Sequence, residues 1–354
     1  MLADLWHPET VYLNTASFGL PPDPAWEALQ AAQADWRAGR VSWERWNEAT
    51  DRARERFARL VGAAVADVAI GANASSLVGL IAASVPDGTR VLAPEVDFTS
   101  LVFPFLAQEG RGVEMRFAPL ERLAEAIDGD TGVVAFSAVQ SSSGEVAPLD
   151  DVAAAARHHG ALTVVDATQA CSWLPLDATE YDALVCAGYK WLMCPRGTAF
   201  MAMSPELAER TTPHLAGWFA AEEPLKDYYG PPLRLARGAR RLDTSPAWFS
   251  WVGAAPALEA VNAIGVAAIH AHDVGLANRF RAGLGLPAGD SAIVSADVPD
   301  AEERLARAGV MASARAGRLR ASFHLYNTDA DVDAALEALA HDRISLTRTE
   351  GASP

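Results

Sequence analysis

Two short apolar segments, each followed closely by a charged residue, place the strongest constraint on what this chain can fold into. Residues 161–165 lead directly to Asp166, and residues 183–185 are followed five positions later by Lys190. Short β-branched runs that alternate with helical segments are typical of a mostly parallel sheet. Because ligands of such sheets bind outside the carboxyl ends of the strands, we expect Asp166 and Lys190 to lie at one site.

The alternation of strands and helices extends along most of the chain. Helical periodicity predicts helices at residues 24–37, 50–61, 149–159 and 331–339. Further strands are predicted at residues 90–92, 132–138 and 198–201. A long helix over about residues 247–266 follows Pro246, which suits a first helical turn. We therefore expect an α/β fold with an N-terminal segment that packs with the small domain, a large domain and a small α+β domain, at residues 1–20, 21–246 and 247–354.

A carboxylate and a lysine at neighbouring strand ends can hold pyridoxal phosphate (PLP). The lysine amine forms a Schiff base with this cofactor, and the carboxylate keeps the pyridine nitrogen protonated so that the ring withdraws electrons. Each residue also has a plainer explanation, Lys190 as a surface lysine and Asp166 as the N-cap of a helix that begins near Thr168. Gln169 is either a donor to the phenolic oxygen of the cofactor or an exposed helix residue.

Three further positions suit a cofactor or a substrate. Ser75 lies where a loop enters a predicted helix, and such a helix start either binds phosphate or is simply capped. Phe98 follows a predicted strand and either covers a planar ring or packs in the core. Alternation places Arg318 and Arg320 on one face of a strand, where a guanidinium binds a substrate carboxylate or forms a surface ion pair.

Composition narrows the partners and the compartment. The 354 residues are 50% hydrophobic and 21% charged, which is ordinary for a globular protein with one large and one smaller domain. The net charge of −16 argues against nucleic acid as a partner. We expect no membrane association, because no apolar run reaches about 20 residues. The absence of a secretory signal pattern and of CxxC spacing among the three cysteines favours a cytoplasmic protein.

Together these residues resemble the class V aminotransferase (cysteine-desulfurase-like) family of fold-type I PLP-dependent enzymes. The resemblance runs from residues 12–16 to residues 320–327 and so covers nearly the whole chain. It rests on the order and spacing of four motifs: Asp166-x-x-Gln169, Tyr189-Lys190, Cys194-Pro195-Arg196-Gly197 and Arg320-x-Ser322. The family has a large domain with a mostly parallel sheet between helices, a smaller α+β C-terminal domain, and PLP as its cofactor.

The resemblance implies a role for each matching residue around the cofactor. Lys190 is the Schiff-base lysine and moves the catalytic proton, while Asp166 pairs with the pyridinium nitrogen. Gln169 contacts the phenolic oxygen, and Ala74 and Ser75 bind the phosphate from the start of their helix. No metal site is implied.

Other implied roles concern the substrate and a second subunit. Phe98 matches the ring-stacking position, and Arg320 matches the arginine that binds the substrate carboxylate. Residues 243–246 resemble a family segment in which a hydroxyl, here that of Thr244 or Ser245, reaches the phosphate of the neighbouring subunit. The resemblance therefore implies a homodimer with the active site at the subunit interface.

Two segments depart from the family pattern. Many members carry Ser-x-His-Lys at the lysine, whereas this chain has Ala187-Gly188-Tyr189-Lys190, so Tyr189 must replace the histidine as a phosphate partner. Ser141 stands where many members place an asparagine near the phenolic oxygen of the cofactor.

The fold alone does not select the reaction. An aminotransferase is the favoured interpretation, since it needs only Lys190 to move a proton and Arg320 to orient an amino acid. A C–S (β-elimination) lyase would use the same lysine. An epimerase needs a second acid–base group, for which the candidates are Tyr228, Tyr229 and His324.

Three other functions are disfavoured. Family desulfurases carry a persulfide-forming cysteine on a loop before the substrate-binding arginine, and this chain has no cysteine after Cys194. A non-catalytic PLP-fold protein would have little reason to keep Lys190, Asp166 and Arg320 together. A nucleotide-binding α/β protein is further disfavoured, because no glycine fingerprint follows the first strand.

Overall fold

A computed structural model describes residues 3–340, so residues 1–2 and 341–354 of the predicted N-terminal segment and small domain lie outside the described residues. The α-helices are α1 (Asp23–Arg37), α2 (Trp43–Leu60), α3 (Ala74–Ser84), α4 (Thr99–Leu106), α5 (Leu149–His159), α6 (Pro205–Arg210), α7 (Trp248–Ile264), α8 (Val266–Gly283), α9 (Ala301–Arg307) and α10 (Asp329–Ala340). The strands are β1 (Val11–Tyr12), β2 (Val68–Gly71), β3 (Arg90–Pro94), β4 (Glu114–Ala118), β5 (Val133–Ser137), β6 (Leu162–Asp166), β7 (Ala183–Ala187), β8 (Ala199–Met203), β9 (Ile293–Ala296), β10 (Val310–Met311), β11 (Ser313–Arg315) and β12 (Arg318–Ser322).

A seven-stranded sheet in the order β2-β8-β7-β6-β5-β3-β4 forms the centre of the structure. Strand β8 is antiparallel to both of its neighbours, and the other neighbouring strands are parallel. Strands β5, β7 and β8 are buried along their whole length, which explains their continuous apolar sequences. The predicted α/β fold with a mostly parallel central sheet is therefore confirmed.

Helices cover both faces of this sheet. On one face, Phe200 of β8 stacks on Phe57 of α2 at 4.4 Å between ring centroids and meets the edge of Trp251 of α7 at 5.2 Å. On the other face, apolar residues of β5, β6 and β7 pack in one core with Leu77 of α3 and Phe105 of α4. Burial from both sides fixes the sheet, and hence the positions of the residues that follow its strands.

The C-terminal part forms a three-stranded sheet and, together with a strand from the N-terminal segment, a two-stranded sheet. Strands β11, β12 and β9 are antiparallel in that order, and β1 pairs in parallel with β10. Leu13, which follows β1, lies in the same core as Phe280, Leu319 and Phe323. Residues 11–13 are thus held against residues 310–323.

Two helices differ from their predicted bounds. The helix predicted at residues 50–61 is the second part of α2, which begins at Trp43. The helix predicted over residues 247–266 ends at Ile264, and α8 continues from Val266 after a bend of 85°. Among the described residues no single helix is long and apolar enough to cross a membrane. Only by length and composition would α7 and α8, taken together across their bend, be sufficient.

Candidate active site

A cavity of about 360 Å³ opens where the carboxyl ends of β2, β3, β5, β6 and β7 meet. Because β8 runs in the opposite direction, the residues before its first position reach the same edge of the sheet. Eight residues singled out from the sequence line the cavity: Ala74, Ser75, Phe98, Ser141, Asp166, Gln169, Tyr189 and Lys190. The other lining residues are Ala72, Asn73, Ser100, Ser137, Thr168, Ala187, Arg196 and Gly197.

Asp166 is the last residue of β6 and is buried. Its Oδ1 accepts a hydrogen bond of 2.8 Å from the Thr168 N–H, and the residue lines the cavity. No helix begins at Thr168, so Asp166 closes a turn rather than capping a helix. Burial raises the pKa of Asp166, and the Thr168 hydrogen bonds and the charge of Lys190 oppose that rise. The buried carboxylate is thus placed to meet a cationic group in the cavity.

Lys190 lies three residues beyond β7 and is only 5% exposed, so it is not a surface lysine. Its Nζ lies 5.3 Å from the centroid of the Phe98 ring and 5.8 Å from that of Tyr189. Burial lowers the pKa of Lys190 to about 8, with the charge of Arg320 adding to the effect and Asp166 opposing it. A buried amine with a lowered pKa is a nucleophile near neutral pH.

The N-terminal segment holds the backbone of Lys190 in place. The Gly19 N–H donates to the Tyr189 carbonyl at 2.9 Å. A Cβ atom at Gly19 would lie 1.9 Å from the Lys190 carbonyl oxygen, so only glycine allows this approach. The lysine turn therefore rests directly on a segment from the start of the chain.

A buried histidine holds the same turn from the other side. His324 Nε2 donates to the Trp191 carbonyl at 3.0 Å, and Nδ1 contacts Asp273 Oδ2 at 2.7 Å. His324 and Asp273 are both fully buried, and His324 does not line the cavity. Tyr228 and Tyr229 are exposed and do not line it either. Within the described chain, none of the three candidates for a second acid–base group faces the cavity.

Gln169 makes all of its side-chain hydrogen bonds to the protein. Its Nε2 donates to the Ala16 carbonyl and to Ser141 Oγ, both at 3.0 Å, and its Oε1 accepts from the Trp191 indole at 2.8 Å. The predicted donation to a cofactor oxygen would therefore have to replace the bond to Ser141.

Arg320 is a buried cation that borders the cavity through Ser141. Its Nη1 donates to the Ser141 carbonyl at 2.6 Å and its Nη2 to Ser17 Oγ at 2.7 Å, while its Nε is buried without a partner. No carboxylate lies within ion-pair distance of Arg320 among residues 3–340. Burial and the charge of Arg315 lower the pKa of Arg320 to about 10. Such a guanidinium favours an anionic ligand.

The opposite end of the cavity is the start of α3. Asn73 caps this helix by accepting the Ser76 N–H at 2.9 Å, and Ser75 Oγ donates to the same Asn73 oxygen at 2.8 Å. The first N–H groups of a helix and its positive dipole end suit a phosphate. The Arg196 guanidinium carbon lies 5.0 Å over the Tyr189 ring, with no carboxylate partner within the described residues. This end of the cavity can therefore hold a dianion.

Thr244 and Ser245 do not line the cavity of the single chain. They follow Asp243, which is fully buried and receives Arg54 Nη1 and Nη2 at 3.1 and 2.6 Å. Burial raises the pKa of Asp243, and the charge of Arg54 opposes that rise. The reach of either hydroxyl to a neighbouring subunit stays a prediction.

Sequence reasoning missed the residues that link the site to distant segments. Thr168 Oγ1 accepts the Ala187 N–H at 3.0 Å and so ties β6 to β7, and Ser17 anchors Arg320. Arg196 appeared only as part of a motif. The 11 residues between β7 and β8 include no helix, and this was the available signal that β8 turns back and delivers Arg196 to the site.

Comparison with known proteins gives a consistent family. A family model described as "Aminotransferase class-V" matches residues 29–296. "Uncharacterized aminotransferase YcbU" of Bacillus subtilis is 29% identical over 85% of this chain and 85% of its own length. Isopenicillin N epimerase of Streptomyces clavuligerus is 30% identical over 68% of this chain and 65% of its own length.

A solved structure shows the same fold. The cystine C–S lyase C-DES, in complex with its product cysteine persulfide, has a TM-score of 0.85 at 21% identity and covers 94% of this chain and 97% of its own. A C-DES mutant structure carries glycine covalently linked to the PLP cofactor.

Proposed function

The chain belongs to the class V aminotransferase family of fold-type I PLP-dependent enzymes, and from this premise we propose that it is an aminotransferase for an amino acid or an amino-acid-like amine. One observation supports the proposal most: a buried lysine amine lines the cavity, and a buried arginine without an acid partner among residues 3–340 lies behind Ser141 at its border. The first suits covalent attachment of an aldehyde, and the second suits the carboxylate of an amino acid.

The residues present fit PLP. The buried carboxylate of Asp166 suits the protonated pyridine nitrogen, and Phe98 lies on the cavity wall where it would cover the ring. Ala74 and Ser75 at the start of α3 would hold the phosphate. When bound, PLP withdraws electrons from the Cα of an attached amine.

Side chains of the protein would bind the cofactor and the substrate and would move the proton. Lys190 would hold the cofactor covalently at Nζ and, once released, move a proton to and from Cα, for which its lowered pKa suits it. Tyr189 and Arg196 would add a hydroxyl and a positive charge at the phosphate end. Arg320 would hold the substrate carboxylate, while Gln169 and Ser141 keep the guanidinium in place.

A persulfide-forming desulfurase is disfavoured by the state of the cysteines. Cys171, Cys186 and Cys194 are all buried, and the chain has no other cysteine. Burial raises the pKa of the Cys186 and Cys194 thiols, which keeps them protonated and unreactive. A persulfide carrier must be an accessible thiolate, and none of these residues qualifies.

We also propose a homodimer with the site at its interface. Thr244 and Ser245 lie outside the cavity of the single chain, as residues that serve a neighbouring subunit would. The segment that carries Phe98 also exposes Val96 and Phe103, two apolar side chains that a second subunit would cover.

The three-part division of the chain is supported by its cores. Most apolar residues of the smaller sheet form a cluster of their own, whereas Ile293 of β9 and Trp251 of α7 belong to the core of the seven-stranded sheet. The pairing of β1 with β10 supports an N-terminal segment that packs with the small domain. We propose the boundaries 1–20, 21–246 and 247–354 for these parts.

The test is a panel of amino acids and sulfur-containing conjugates mixed with the PLP-loaded protein. We expect one equivalent of keto acid for each site and conversion of the cofactor to its aminated form. Pyruvate, ammonia and a released thiol would instead show elimination, and racemised substrate would show epimerisation. Lys190→Ala is the control, and it should lose the visible absorbance of the lysine-bound cofactor. An unchanged band in that variant would contradict the assignment of Lys190.

A further inference from the structure

The hairpin formed by β11 and β12 carries a cluster of three arginines on one face. Arg315 pairs across the hairpin with Arg318, and Ser313 pairs with Arg320. Cross-strand partners share a face of the sheet, so Arg315, Arg318 and Arg320 all lie on one side. The connecting residues Ala316 and Gly317 both have positive φ, at 50° and 76°, as a tight two-residue turn requires. The turn therefore fixes Arg315 relative to Arg320.

Two of these guanidiniums converge on one hydroxyl. Arg320 Nη2 donates to Ser17 Oγ at 2.7 Å and Arg315 Nη2 donates to the same oxygen at 3.2 Å. The remaining bond of Arg315 is from Nη1 to the Ala314 carbonyl at 2.7 Å. Within residues 3–340 neither arginine has a carboxylate at ion-pair distance, although the chain has 45 acidic and 29 basic residues. Two converging cations without an acid partner suit a ligand with more than one negative charge.

Arg318 differs from Arg315 in direction. Its Nε donates to Ser295 Oγ of β9 at 3.2 Å, whereas the guanidinium of Arg315 donates to Ser17. Arg315 is exposed whereas Arg320 is buried, so Arg315 lies on the open side of the carboxylate site. A substrate whose α-carboxylate binds Arg320 could place the end of its side chain at Arg315.

We propose that the substrate is an α-amino acid with a second anionic group, as in an acidic amino acid, and that Arg315 binds that group. This inference rests on the proposed function, because it takes Arg320 as the site of the α-carboxylate. One carboxylate shared by both arginines is the competing arrangement, and matched acidic and neutral ligands separate the two.

The experiment compares L-glutamate with L-glutamine and L-aspartate with L-asparagine on the PLP-loaded protein. Dissociation constants come from the change in cofactor absorbance. We expect the unaltered protein to prefer each acidic member by about tenfold or more, which is the range for a charged hydrogen bond. Arg315→Gln should remove this preference, with little change for the neutral member, and Arg315→Lys should keep part of it.

Arg318→Gln is the matched control, because it removes the same charge from the same face without touching Ser17. It should leave both members of each pair unchanged. Equal weakening of acidic and neutral ligands by Arg315→Gln would overturn the proposal, since it would show that Arg315 shares the α-carboxylate. A lack of acidic preference in the unaltered protein would overturn it as well.

A second measurement separates this inference from the proposed reaction. Glutarate and butyrate carry two and one carboxylates and no amine, so their binding is independent of amino-group chemistry. We expect glutarate to raise the melting temperature more than butyrate does, and we expect Arg315→Gln to abolish that difference. If the difference holds while no amino acid reacts, the aminotransferase proposal fails and the Arg315 site stands. If glutarate and butyrate raise the melting temperature equally, the Arg315 site is refuted.

Discussion

The protonation of Lys190 gives a quantitative test of the site. Burial and the charge of Arg320 lower the pKa of Lys190 from 10.5 to about 8, against the opposing charge of Asp166. Only the uncharged amine attacks an aldehyde. At pH 7 about a tenth of an amine with a pKa of about 8 is uncharged, against about one part in 3,000 at the usual lysine value. The buried amine should therefore react about 300-fold more often per encounter than a free one.

The assay is the rate of covalent PLP attachment to protein freed of the cofactor, followed by visible absorbance between about pH 6 and pH 10. Nα-acetyl-lysine is measured in parallel, so that the titration of the cofactor itself cancels in the ratio of the two rate constants. We expect this ratio to be constant below about pH 8, because the uncharged fractions of both amines rise with pH by the same factor there. Above that pH the ratio should fall about tenfold per pH unit, because only the uncharged fraction of Nα-acetyl-lysine still rises.

A ratio that stays flat up to about pH 10 would refute the reasoning, because it would show that Lys190 titrates as an exposed lysine does. Asp166→Asn supplies a directional check. The Asp166 carboxylate raises the pKa of Lys190, so its neutral replacement should move the break in the ratio to lower pH. A break that moved to higher pH would contradict the assigned role of that charge.

Two further substitutions test the support of the site. Arg54→Met should lower the free energy of unfolding by about 3–5 kcal/mol in urea titrations, because it leaves the buried Asp243 carboxylate unpaired; a loss under about 1 kcal/mol would show that water reaches Asp243. Gly19→Ala should slow PLP attachment by about tenfold or more, because its Cβ would displace the Lys190 carbonyl. Gly79→Ala, with no atom within 4 Å of the added Cβ, is its control, and equal rates in the two variants would rule out this role.

Local patterns predicted the elements whose burial is continuous or periodic. Helix α5 and strands β5 to β7 were found within a few residues, because their apolar faces can be read without knowing their partners. The first turns of α2 were missed because Trp43 and Trp46 pack on Trp248, about 200 residues away. Their contribution to the helix depends on a contact that no local window contains.

The same distinction applies to the site. Asp166 ends an apolar strand and Lys190 lies three residues after another, so their position at the sheet edge could be predicted from the parallel fold. The supports of the site come from long range: Ser17 and Arg320 are 303 residues apart, and Arg54 and Asp243 are 189 apart. Such pairs leave no local signal, because an isolated serine or arginine is more often a surface residue.

The position of residues 16–19 beneath the lysine turn has a consequence for how the enzyme is made. These residues leave the ribosome about 300 residues before Arg320, yet their partners include Arg320, Ser322 and Tyr189. At about 5–20 residues per second, roughly 15–60 s pass before Arg320 is synthesised. The sheet can form during that interval, but the active site can close only after Arg320 and Ser322 have been made. Incomplete chains would therefore be inactive even after their large sheet has folded.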